Sequence, residues 1–144
     1  MRRPQGRLVV TAVVLLLAVL WQRWQAPDPA PDPATGEAVV LQAYAARRSD
    51  VEVTVSGTVV RSPPDDDEGS RHQRFVMELP GGHTLLVAHN IDLAERVPLR
   101  SGDAVAVRGE YEWTERGGTV HWTHHDPAGR RAGGWIEHAG QRYR

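Results

Sequence analysis

The 144-residue chain contains no cysteine. Disulfides and thiolate chemistry are therefore excluded, and a metal site would have to use His, Asp, Glu, Asn or backbone oxygen. Lysine is missing too, since all 17 basic residues are arginine. A Schiff base or a catalytic lysine is thereby ruled out. Ser56, Ser62, Ser70 and Ser101 stand in no nucleophile elbow, and there is no glycine-rich phosphate loop. Long hydrophobic runs are also scarce, the exception being at the N-terminus.

That run is LVVTAVVLLLAVLW, Leu8 to Trp21, preceded by Arg2, Arg3 and Arg7. It is shorter than the roughly 20 residues that span a bilayer comfortably. Trp21 and Trp24 suit the membrane interface, and the bulky Trp24 spoils a cleavage site ending at Ala26. Residues 1–25 therefore read as an uncleaved transmembrane signal anchor, with a cleaved signal peptide as the alternative. Either reading exports the remainder. The arginines stay cytoplasmic and the C-terminal domain is extracytoplasmic, on a single pass through the inner membrane. Residues 26–36, APDPAPDPATG, alternate proline and read as an extended spacer of about 30 Å.

Residues 37–144 read as the folded domain. Glu37 to Arg48 carries Val40, Leu41, Tyr44 and Ala45 near helical spacing, predicting a short helix. The period then changes to two. Val51, Val53, Val55 and Val59 alternate with polar residues, and Phe75, Met77 and Leu79 do the same in HQRFVMEL. A three-residue turn, Pro80-Gly81-Gly82, sets Phe75 beside Val87 and Met77 beside Leu85, so the apolar faces agree. IDLAERVPLRSGD separates the halves. AVAVRGEYEWT and TVHWTHH form strands four and five, joined by a four-residue turn at 115–118. That turn predicts Trp122 beside Tyr111 and Val120 beside Trp113 in the core. Outside, it predicts Glu112 beside His121, Glu110 beside Thr123 and Arg108 beside His125. The fold expectation is mainly β: a five-stranded OB-like barrel with a short N-terminal helix, preceded by one transmembrane helix. The glycine-rich tail ends in a small strand or hairpin.

The conspicuous chemistry is HWTHHDP, residues 121–127. On a helix its three imidazoles would share a face. On a strand His121 and His125 lie about 13 Å apart and His124 faces the other way, so the run alone does not chelate one ion. His72, Arg74, His89 and Asn90 fall at one end of the hairpin closed by Pro80-Gly81-Gly82. A polar His/Arg face is expected from His72, Arg74, His89, Asn90, Glu112, His121, His124, His125 and Asp126. Glu112 beside His121 is either an acid/base pair, a ligand with its supporting carboxylate, or a surface ion pair. The run Asp65-Asp66-Asp67-Glu68 lacks the alternated ligands of a calcium loop.

Residues 69–75 (GSRHQRF), 85–94 (LLVAHNIDLA), 109–113 (GEYEW), 117–130 (GGTVHWTHHDPAGR) and 133–143 (GGWIEHAGQRY) resemble the bacterial domain-of-unknown-function family numbered 3465. The resemblance covers roughly residues 50–143. It implies a small exported or membrane-attached protein and carries no activity and no site residue.

Three functional expectations remain. The first is a membrane-anchored binding module whose polar face takes a small anionic ligand, a metal or a protein partner. The second is a metal-dependent or acid/base hydrolase on the same face, with a divalent metal as its cofactor. The third is single-stranded nucleic-acid binding. Residues 37–144 hold 13 arginines against 16 acidic residues, a net negative charge that works against phosphate-backbone affinity.

Overall fold

The computed structural model describes residues 32–144; the anchor reading and most of the spacer lie outside them. Helix α1 spans Pro33–Ala45. It begins four residues before the expected Glu37, within the stretch read as spacer. Proline at the first helical position gives up only an N–H that would lack a helical partner, and the Asp32 carbonyl accepts from Thr35 N and Gly36 N at 2.9 and 3.2 Å. The helix stops three residues early because Arg47 turns left-handed at φ 50°, with Arg48 N bonding back to Ala43 O at 2.9 Å. Among the described residues no helix is long and apolar enough to cross a membrane.

Val40 and Ala43 bury one side of α1 completely. A Cβ on Gly36 would overlap the Thr54 carbonyl oxygen, so glycine is what lets the helix lie directly on the sheet. In an isolated helix Gly→Ala gains about 1 kcal/mol. Here Gly36→Ala should instead lower the unfolding midpoint, by a net loss of about 2 kcal/mol. Thermal unfolding at or above the wild-type temperature would contradict this packing.

Seven strands follow: β1 (Val51–Arg61), β2 (His72–Glu78), β3 (Thr84–Asn90), β4 (Ala104–Glu112), β5 (Thr119–His121), β6 (Trp135–His138) and β7 (Gln141–Tyr143). Their order is β1-β2-β3-β5-β4-β6-β7, and β4 also pairs with β1. The first five strands in that order thus form a closed barrel. β3 and β5 run parallel, and β6–β7 is a terminal hairpin laid against β4. The long β1 serves two partners, β4 through Val51–Thr58 and β2 from Thr58 onward, with an irregularity between Val59 and Arg61. The alternating residues Val53, Val55, Phe75, Met77, Leu85, Val87, Val105, Val107, Tyr111 and Val120 fill the interior.

The β2–β3 register is as expected, Phe75 with Val87 and Met77 with Leu85. The β4–β5 register is not. Tyr111 pairs with Val120, Glu110 with His121, and Glu112 with Thr119. The connection is six residues, 113–118, rather than four. Thr114 holds it, accepting from Gly117 N through its carbonyl and from Gly118 N through Oγ1. Gly117 and Gly118 take φ values of 106° and 107°. Two added residues preserve each side chain's face while sliding every pair along by two. Trp113 therefore leaves the strand and lies half-buried near Tyr44 and Arg47. Strand five also ends earlier than expected. Trp122 adopts φ 54°, so it is half-buried outside the barrel instead of packing beside Tyr111. Beyond that point β4 takes β6 as its neighbour, and Arg108 pairs with Trp135 rather than His125.

Candidate functional site

Where β5 ends, the chain turns back over the barrel. Thr123 and His124 are buried, whereas His125 is exposed. Asp126 organises the loop that follows. Its Oδ1 accepts from Ala128 N at 2.9 Å, and Oδ2 accepts from Arg130 N and Arg131 N at 2.8 and 3.0 Å. These backbone donors, Ala128 first, hold the carboxyl below its usual proton affinity. The loop places the Arg131 guanidinium 4.8 Å from the Trp122 ring centre and in an ion pair with Glu110. Asp126 is thus occupied in shaping the loop, and neither it nor His125 lines the cleft described next.

That cleft has a volume of about 220 Å³ and is lined by His72, Asn90, His121, Trp122 and His124, with Ser70, Ala88 and Leu93. Four of the nine residues expected on the polar face therefore converge. His72 and Asn90 are direct partners across β2 and β3. His72 Nδ1 lies 2.8 Å from Ser70 O, and His124 Nδ1 lies 2.7 Å from His125 O. A carbonyl only accepts, so both Nδ1 atoms carry hydrogen and donate. In the neutral rings Nε2 then keeps its lone pair. Asn90 Oδ1 accepts from Asp92 N at 3.0 Å, which leaves the amide hydrogens as donors.

Two expected members are elsewhere. Arg74 donates from Nε to Pro64 O at 2.9 Å, away from the cleft. His89 is fully buried rather than on a polar face. Its Nε2 donates to Glu95 O at 3.0 Å, so Nδ1 is the acceptor for the Thr123 hydroxyl at 2.8 Å. Burial is the main cause of its lowered proton affinity. His89 is tied to Thr123, the chain neighbour of two cleft residues, Trp122 and His124.

On the far side of His121 stands a second group. Glu110 and Glu112 alternate on the outer face of β4, and His121 is the cross-strand partner of Glu110. His121 Nε2 is 3.7 Å from Glu110 Oε1 and 3.5 Å from Glu112 Oε1. Both separations exceed hydrogen-bond length, so the expected Glu112–His121 pair is a proximity and not a bond. The three ligand atoms lie within 4.8 Å of one another. Nε2 is enclosed and has no hydrogen-bond partner among the described residues. Glu110 was absent from the expected face because the register was displaced; the Glu-x-Glu alternation on β4 was the available signal.

A family model described as Protein of unknown function (DUF3465) matches residues 28–144. The chain belongs to the DUF3465 family. The match takes in α1 as well as the barrel, and so reaches further toward the N-terminus than the resemblance read from residues 50–143. No curated protein matches this DUF3465 chain.

Proposed function

We propose that this DUF3465 domain is an exported binding module, tethered to the inner membrane, whose cleft takes a small anionic ligand. The convergence of His72, Asn90, His121 and His124 on one concave space carries this reading. His124 is 5% exposed yet lines the cleft, the disposition of a buried polar group that faces a ligand. On protonation, His72 and His124 each become donors at both nitrogens. The strand order with its parallel β3–β5 pair supports an OB-like barrel, and the arginine-flanked apolar run at 8–21 supports the tether. The acidic loop 65–68 between β1 and β2 argues against a nucleic-acid strand as the anion.

Calorimetric titration of the full chain with inorganic phosphate, in EDTA, tests the reading. Phosphate should bind saturably at one site per chain, with an affinity set by the cleft imidazoles and the Asn90 amide. The paired changes His72→Gln and His124→Gln should weaken it at least tenfold, the effect of losing one charge-assisted hydrogen bond of about 1.5 kcal/mol. Unchanged affinity in the double variant would count against the cleft.

A further inference from the structure

The geometry points to a site for a first-row divalent metal ion of the zinc class, held by Glu110 Oε1, Glu112 Oε1 and His121 Nε2. It goes beyond the anion reading and shares only His121 with it. Two glutamates on one strand face would be unremarkable by themselves. The second observation is the imidazole nitrogen between them, enclosed by protein and bonded to nothing among the described residues. Leaving such a nitrogen unsatisfied costs about 1–3 kcal/mol.

The spacing says what would satisfy it. At 3.5 and 3.7 Å the carboxylate oxygens are too far for a hydrogen bond to Nε2. They match the edge of a tetrahedron, about 3.4 Å when each metal–ligand bond is about 2.1 Å. An ion centred between them would reach all three donors with small side-chain adjustments. Two carboxylates and an imidazole form a nitrogen-and-oxygen set suited to zinc, and less suited to calcium or magnesium, which favour all-oxygen shells.

Charge and orientation agree. The carboxylates carry two negative charges, and Arg131 offsets one by pairing with Glu110 Oε2. That contact leaves Oε1 facing His121, the role of a group that orients a metal-bound carboxylate. Three protein donors leave a fourth tetrahedral position for water or a ligand atom.

The test uses full-length chain in detergent, stripped with EDTA and titrated with zinc alone. One equivalent should bind, and the thermal midpoint should rise with zinc concentration by mass action. Glu112→Gln and His121→Gln should each weaken binding by about 100-fold or more, and Arg131→Gln by about tenfold, the range for orienting groups. Circular dichroism of the metal-free variants checks that they fold. The His72→Gln/His124→Gln variant should keep the zinc equivalent. Its retention alongside lost phosphate binding separates the two sites. Absence of zinc binding in the wild type would overturn the site, as would an equivalent that survives the combined Glu112→Gln and His121→Gln changes. Loss of zinc in the His72/His124 variant would place the metal in the cleft and overturn it equally.

Discussion

Gly134→Ala is expected to lower the thermal unfolding midpoint by about 10 °C and to take the cleft apart, on a stability loss of about 3 kcal/mol. A Cβ at this position would overlap the carbonyl oxygens of Trp122 and Arg108 and crowd Thr123 Cα. All three neighbours are backbone, so no side chain can rotate away. Gly134 N also donates to His124 O at 2.9 Å, which ties the returning chain to the segment it covers. The available relief is to lift residues 122–124 off β4. That movement displaces Trp122 and His124 from the cleft and loosens Thr123 from His89. Calorimetry should show the lowered midpoint, and the ring signals of His124 should move in NMR spectra. Gly129→Ala provides the comparison: its φ is 63° and nothing lies within 4 Å, so only the left-handed penalty of about 1–2 kcal/mol applies. Equal midpoints for the two variants would mean that the close approach at 134 is not sustained in solution.

Gly134 also shows where sequence reading stops. Period-two alternation in the valine-rich strand and in HQRFVMEL identifies strands without outside help, since burial on one face imposes that pattern. The short Pro-Gly-Gly turn fixes its hairpin register for the same reason. The six-residue connection before β5 was less legible. Moving a register by two residues leaves both faces intact, so hydrophobicity alone cannot distinguish the alternatives. The four-residue turn puts Glu110 beside Thr123, whereas the six-residue connection brings it beside His121 with Glu112. A strand that continued through Trp122 would put it in the core. Its left-handed φ is uncommon for a bulky residue, and no local signal in WTHH announces it. The stop comes from tertiary contacts, the two glycines at 133 and 134 packed on the backbone of 122–126. HWTHHDP therefore divides by environment: His121 between carboxylates and cleft, His124 buried at the cleft wall, His125 in solvent.

His89 makes the Thr123 contact next to that cleft sensitive to acid. Both ring nitrogens are committed, Nε2–H to the Glu95 carbonyl and Nδ1 to the Thr123 hydroxyl. Desolvation lowers its proton affinity most, the backbone hydrogen bond to Glu95 partly opposes it, and the neighbouring His124 and His72 lower it further. The folded-state pKa thus lies below the unfolded value near 6.5. On acidification the unfolded chain binds the proton first, so this contribution to stability is whole above about pH 6.5 and is lost progressively below it. One proton gives a slope of at most about 1.4 kcal/mol per pH unit. The lowered carboxyls of Asp92 and Asp126 act in a separate window, below their ordinary 3.8. Denaturant unfolding at about pH 7.5, 6.5 and 5.5 should show the decline in the wild type. His89→Gln retains a donor and an acceptor but has no titrating proton, so its stability should start lower and fall less steeply across that range. An identical slope in this variant would exclude His89 as the source. Where the slope does flatten, protonated His89 must leave its apolar surroundings and release Thr123, whose neighbour His124 lines the cleft. Mild acid then weakens the His89–Thr123 contact next to His124 at the cleft wall.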